Sequence, residues 1–173
     1  EVIVIVDGNN KLHDKISKEY SSFEKFLLHN NESNQGLSQS RNTGVNISTG
    51  EIIACLDDDA VAEETWIEEL VRTYRRRDAL AAGGKMVPQW IAGKLHYLPA
   101  EFYWLVGVTH RGFPTEECEV RNTFGSNISF KRRVFQSIGG FDADLGRHGG
   151  RQIQGEETEF AARMYAAFGE RVW

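Results

Sequence analysis

The chain has 173 residues, 40% hydrophobic and 26% charged, with a formal net charge of −5, which fits one globular domain, residues 1–173, with a sizeable core. The acidic balance excludes a general nucleic-acid footprint. Two cysteines, Cys55 and Cys118, are too few for a disulfide framework, and no apolar run reaches the length of a membrane span.

Val2 to Val6 is a run of five β-branched residues, the pattern of a strand covered on both faces. Asp7-Gly8-Asn9-Asn10 ends it in turn formers, which leaves Asp7 at a carboxyl strand end, either shaping the turn or contacting a ligand. Lys11 to Ser21 carries Leu12, Ile16 and Tyr20 at helical spacing. Phe23 to Leu28 is strand-like, Asn30 to Gln35 is polar loop, and Leu37 to Thr49 is expected to be largely helical. This alternation predicts an α/β fold with a parallel sheet and crossovers.

Ile52 to Leu56 is a short apolar run between Gly50 and three acids, and it reads as a buried strand. Cys55, inside it, reads as a small buried hydrophobe. Asp57, Asp58 and Asp59 follow where this strand leaves the sheet, the place where open α/β sheets bind ligands. Adjacent carboxylates repel one another, and a divalent cation shared with substrate phosphates offsets that repulsion. The alternative is helix capping, with Asp59 at the start of a helix beginning near Ala62.

Glu63 to Arg77 is expected to be a helix with Trp66, Ile67, Leu70, Val71 and Tyr74 as its apolar stripe. Acids crowd its start and arginines its end, which complements the helix dipole and allows a Glu68–Arg72 pair. Dipole complementation and solvation account for Arg75, Arg76 and Arg77 better than a phosphate site does. Leu80 to Val87 reads as a strand broken by Gly83-Gly84. Residues 89–114 gather Trp90, Tyr97, Phe102, Tyr103, Trp104 and Phe113, read as a core wedge in preference to an aromatic floor for a ring-shaped ligand. Asn127 to Phe130 is expected as a strand and Arg132 to Ile138 as a helix. Asp144 to Gln154, rich in glycine, reads as a mobile loop and possible lid. Gly155 to Phe168 is expected as a helix with Glu156 and Glu157 at its N-terminus.

Four pieces, VIVIVDGNN, SQSRNTGVNISTGEIIACLDDD, FGSNISFKRRVFQSIGGFD and GEETEF, together resemble glycosyltransferase family 2, in order and over nearly the whole chain. The resemblance implies the GT-A fold, a Rossmann-like, mostly parallel sheet flanked by helices. It also implies inverting transfer of a sugar from a nucleotide-diphosphate donor. By this resemblance Asp7 contacts the nucleotide base, and Arg41, Asn42, Asp57 and Asp58 belong to the nucleotide-sugar site. Asp59 is implied to bind Mg²⁺ or Mn²⁺. Glu157 takes the place of the general base, an aspartate in most of the family, and Glu156 matches the glutamate before it. Two family features are not in the sequence: a strand expected before Glu1, and a metal-site histidine expected beyond Trp173. The chain is therefore expected to be a piece of a longer protein, truncated at both ends, with a membrane segment possible after Trp173.

Further pieces, among them GGKMVPQWIAGK, EFYWLVGVTHRGF and RQIQGEE, are similar to archaeal enzymes that add a sugar, often glucuronate, to a dolichyl-phosphate-linked glycan. This implies a glycan or lipid-linked acceptor and work at the cytoplasmic face of the cell membrane, with membrane association through regions outside this chain. Three other functions compete. Asp57-x-Asp59 also matches the nucleophile motif of haloacid-dehalogenase-type phosphatases. A nucleotidyltransferase can be built on a similar sheet. A non-catalytic sugar-binding domain would need no carboxylates at the metal and base positions.

Overall fold

The structure, a computed structural model, describes residues 1–148 and 151–173. Strand β1 (Val2–Asp7) pairs in parallel with β2 (Phe26–Asn31), with Val2 opposite Phe26 and Asp7 opposite Asn31. Helix α1 (Asn10–Tyr20) makes the crossover between them. Asn9 caps it, accepting from the Leu12 N–H at 3.1 Å, which satisfies one of the free donors of the first turn. Strand β2 begins three residues later than its apolar pattern implies, because Phe23 closes a turn onto Tyr20 and its ring stacks at 5.9 Å on Tyr20.

Helix α2 (Leu37–Ile47) leads to strand β3 (Ile52–Cys55), and helix α3 (Trp66–Arg77) leads to strand β4 (Ala81–Gly83). Strand β5 (Ile128–Lys131) lies between β3 and β4 and runs antiparallel to both, so β3 and β4 point the same way. The far edge of β4 is covered by the chain end, where Trp173 N–H donates to Ala81 O at 3.0 Å and Gly83 N–H to Trp173 O at 2.7 Å. Among the described residues β1 is laddered only to β2, and β3 only to β5.

Helix α4 (Arg132–Ile138) and helix α5 (Glu156–Phe168) pack against this sheet. The core is an aromatic cluster. Phe130 and Phe160 are fully buried with ring centroids 4.7 Å apart, and Phe135 and Phe141 close around them. Tilted and edge-on pairs of this kind add roughly 0.5–1.5 kcal/mol each beyond their burial. A second layer forms where Leu70 and Tyr74 of α3 pack on Ala79 and Ala82.

Three expectations are corrected. Helix α3 starts at Trp66, with Thr65 at its N-cap position, so Asp59 does not cap it. Residues 144–154 are not wholly loop: strands β6 (Gly146–His148) and β7 (Arg151–Ile153) form an antiparallel hairpin. The remaining part of the lid expectation, Gly149-Gly150, lies outside the described residues. The aromatic segment 89–114 is not a core wedge. Tyr97 is 81% exposed, Trp104 54% and Phe102 49%, because the segment hangs from the fold by the Met86–Thr109 hydrogen bonds and adds no strand to the sheet.

The arginines of α3 behave as expected of a helix end. Arg72 pairs with Glu68 at 3.1 Å, Arg76 and Arg77 pair with Glu117, and the Arg77 guanidinium lies 4.5 Å from the Trp173 ring centroid. A buried polar relay ties α3 to the sheet: Tyr74 O–H donates to Ser129 Oγ at 3.0 Å, and Ser129 O–H donates to Ala82 O at 2.8 Å. Tyr74→Phe is expected to lower stability by about 1 kcal/mol, because Ser129 keeps its own acceptor and no donor is orphaned. Denaturant unfolding measures it; a loss above about 3 kcal/mol would mean that the hydroxyl does more than complete this relay.

Candidate active site

Of the candidate residues, Asp7 ends β1, Asp57 to Asp59 follow β3, Glu156 and Glu157 open α5, and Arg41 and Asn42 lie within α2. At the end of β1, the Asp7 carboxylate faces its own protein. Oδ1 accepts from Asn31 Nδ2 at 2.8 Å and from Gln35 N–H at 2.9 Å, and Oδ2 accepts from Gly36 N–H at 2.9 Å. Partial burial raises its pKa, but these donors outweigh that and hold it below the ordinary aspartate value. Asp7 thus pins the loop 31–36 that leads into α2.

Asn42, on α2, is likewise engaged. Its Nδ2 donates to Phe141 O at 2.8 Å, and its Oδ1 accepts from Phe141 N–H at 2.7 Å. Gly140 permits this approach, since a Cβ there would sit 2.4 Å from Asn42 Oδ1. The side chain therefore clamps α2 to the segment after α4, with both its polar atoms bonded to Phe141.

Arg41, one residue earlier, is the centre of the site. Its Nη1 lies 2.7 Å from Glu156 Oε1 and its Nη2 lies 3.0 Å from Asp57 Oδ1. The side chain is only 10% exposed and that of Glu156 6%. Burial opposes the Arg41 charge, and the negative groups around it more than compensate, so its pKa is raised. The Phe141 ring centroid lies 5.8 Å from the guanidinium carbon. Gly125 packs on Nη2 so closely that a Cβ there would stand 2.8 Å away.

Asp57 follows β3 by two residues, as the apolar run implies. Ala60 N–H donates back to Asp57 O at 3.1 Å, which closes a turn over Asp58 and Asp59. Both of these acids are exposed, and among the described residues neither side chain makes a hydrogen bond or ion pair. They are open oxygen donors at a strand end, the donor type a hard divalent cation takes. No group of three or more metal-ligating side chains forms among the described residues. A metal here fits only if a diphosphate and water complete its shell, as is usual for Mg²⁺.

Helix α5 starts at Glu156, after Gly155, whose φ of 110° suits only glycine. Glu156 and Glu157 therefore stand on its first turn. Their Cα–Cβ bonds leave the helix about 100° apart; the two carboxyl groups still interact, but their surroundings differ. Glu156 is buried in the ion pair with Arg41. Glu157 is partly buried with no guanidinium of its own; burial first, and then the charge of Glu156, push its carboxyl above the ordinary glutamate value. The structure thus brings Arg41, Asp57, Glu156 and Glu157 together, with Asp58 and Asp59 on the adjoining turn, and leaves Asp7 and Asn42 in supporting positions. The sequence reading missed Gly125 and Phe141 as the walls around Arg41. Both lie in the FGSN and GGFD pieces, but nothing local marks what they touch.

The chain is 47% identical over 173 residues to the glucosyl-dolichyl phosphate glucuronosyltransferase of Haloferax volcanii, covering 99% of this chain and 55% of that protein. It is 30% identical over 150 residues to the succinoglycan biosynthesis protein ExoM of Rhizobium meliloti, covering 85% and 44%. Among solved structures, the mannosyltransferase PcManGT of Pyrobaculum calidifontis, in complex with GDP-Man and Mn²⁺, superposes with a TM-score of 0.66 at 20% identity, covering 99% of this chain and 44% of that one. S. aureus TarS in complex with UDP-GlcNAc gives 0.69 at 16% identity, covering 100% and 46%. These neighbours show the GT-A fold, and the chain spans about half the length of the proteins it matches. The profile of Glycosyl transferase family 2 matches residues 1–139, and the chain belongs to that family.

Proposed function

We propose that this chain is the donor-binding part of an inverting glycosyltransferase that moves a sugar from a nucleotide diphosphate to an acceptor hydroxyl, with the acceptor a lipid-linked glycan. The observation that carries the reading is the gathering of the Asp57–Asp59 turn and the Glu156–Glu157 pair around one guanidinium. It supplies a carboxylate for a metal and a separate carboxylate for a proton.

Asp59, with Asp58 beside it, would hold Mg²⁺ or Mn²⁺. Bound there, the ion would offset the negative charge that builds on the departing diphosphate. Glu157 takes the proton of the acceptor hydroxyl as it attacks from the opposite face of the sugar. Asp7 acts through the loop 31–36, which it holds in place for the nucleotide. The lipid acceptor is taken from the name of the Haloferax relative. No helix among the described residues is long and apolar enough to cross a membrane, so contact with the cytoplasmic face of the membrane is assigned to other parts of the full-length protein.

A phosphatase reading is not favoured, because Asp57, its nucleophile, is held by Arg41 at 3.0 Å. The test is incubation of the full-length protein with nucleotide-diphosphate sugars, Mn²⁺ and a dolichyl-phosphate-linked glycosyl acceptor. Acceptor-dependent release of nucleotide diphosphate, with a product of inverted anomeric configuration, is expected. Phosphate release from a generic phosphate ester, without sugar transfer, would overturn the reading.

A further inference from the structure

We infer that Arg41 is a positioning residue for the transfer, tying the donor turn after β3 to the base helix α5, and that it does not itself ligate the nucleotide. This rests on the function proposed above. Each terminal nitrogen of Arg41 already carries a carboxylate, Nη1 that of Glu156 and Nη2 that of Asp57. Phe141 lies over the guanidinium and Gly125 leaves no room beside Nη2. The Arg41 side chain is only 10% exposed, so little of it is open to a nucleotide, and taking Arg41 away from Glu156 would strand a buried carboxylate, which is costly.

The tie has a geometric consequence on each side. On one side, Asp57 is the residue whose carbonyl closes the turn carrying Asp58 and Asp59. Holding its side chain fixes where those two acids point. On the other side, the bond to Glu156 sets the rotation of the first turn of α5. Glu157, the next residue on that turn, is placed beside the ion pair, within the electrostatic reach of both Glu156 and Arg41. The distance between the donor acids and the base is thus fixed by one planar group bridging residues 41, 57 and 156. A lysine presents a single point charge and cannot hold two carboxylates at fixed angles.

Four variants of the full-length enzyme test this: Arg41→Met, Arg41→Lys, Glu156→Gln and Gly125→Ala. The last two keep Arg41. Glu156→Gln weakens one of its bonds, and Gly125→Ala adds a methyl group that pushes on Nη2. Each is expected to lower kcat by roughly ten- to a hundredfold, the scale of a small misplacement of reacting groups. The affinity for nucleotide diphosphate by calorimetry should stay near wild type. Arg41→Met combined with Glu156→Gln should lose no more turnover than Arg41→Met alone, since both remove the same tie, and Arg41→Lys should restore little. Losses that multiply in the double variant would sink the proposal. So would Arg41→Met weakening nucleotide binding while kcat is kept, the behaviour of a direct ligand, or normal turnover in both Glu156→Gln and Gly125→Ala. A wild-type enzyme that transfers no sugar would instead count against the function itself, whatever the variants do.

Discussion

Glu157→Gln in the full-length enzyme is expected to keep donor binding and lose turnover by a factor on the order of 10² to 10⁴, the usual worth of a general base. The amide preserves size and can still accept a hydrogen bond, but it cannot take a proton at neutral pH. The structure distinguishes this residue from its neighbour: Glu156 is paired with Arg41 at 2.7 Å, whereas Glu157 is held above its ordinary pKa by burial and by the Glu156 charge. The sign of the pH dependence follows. Catalysis needs the ionised form, so activity falls as pH drops through the raised pKa, and the acid limb of kcat/KM should lie above the ordinary glutamate range. Removing the Glu156 charge in Glu156→Gln removes one cause of the elevation, so that limb should move to lower pH while the plateau falls less than in Glu157→Gln. A near-normal kcat in Glu157→Gln removes the residue from the mechanism. A larger loss in Glu156→Gln moves the base by one position.

Local pattern located the elements whose burial is local in origin. The β-branched run of β1, the apolar run of β3, the acid-to-arginine order of α3 and the glutamates opening α5 all stand within a few residues of where the sequence put them. The order of the sheet was not legible in the same way. Strand β5 inserts between β3 and β4 and reverses direction after an excursion through residues 84–124, and no periodicity reports which edge a strand will find. The aromatic segment misled for a related reason. Large rings are usually buried, but burial needs a facing surface, and the described residues cover little of Tyr97 and only about half of Trp104.

At the site, residue types were legible and partners were not. Three adjacent aspartates announce a compensating cation, but the sequence does not say that one of them already has an arginine. The Arg41–Glu156 contact spans 115 positions. Asp7 shows the converse limit: its place at a strand end was evident, yet the donors that occupy both of its oxygens come from Asn31, Gln35 and Gly36, whose approach depends on how the loop folds back. The resemblance to the family supplied roles for these positions, and the side-chain geometry adds the protein partners each of them holds.

Asp59→Ala is expected to abolish the gain in nucleotide-diphosphate affinity that Mn²⁺ gives the wild-type enzyme, while leaving the fold unchanged. Asp59 is exposed on the turn after β3 and makes no side-chain hydrogen bond or ion pair among the described residues, so its truncation should shift stability by no more than about 0.5 kcal/mol. Its value to a cation is larger. Partners one step removed from a metal are worth roughly 10- to 100-fold in its affinity, and a direct ligand should exceed that. Asp57 has one oxygen, Oδ1, committed to Arg41, and among the described residues no group of three ligating side chains stands by to compensate. Calorimetric titration of nucleotide diphosphate with and without Mn²⁺, in wild type, Asp58→Ala and Asp59→Ala, reads this directly. The wild type should bind more tightly with the metal and Asp59→Ala equally in both conditions. Retention of the full Mn²⁺ gain in Asp59→Ala, with its loss in Asp58→Ala, would transfer the ligand to Asp58. Retention in both would place the metal on groups other than this turn.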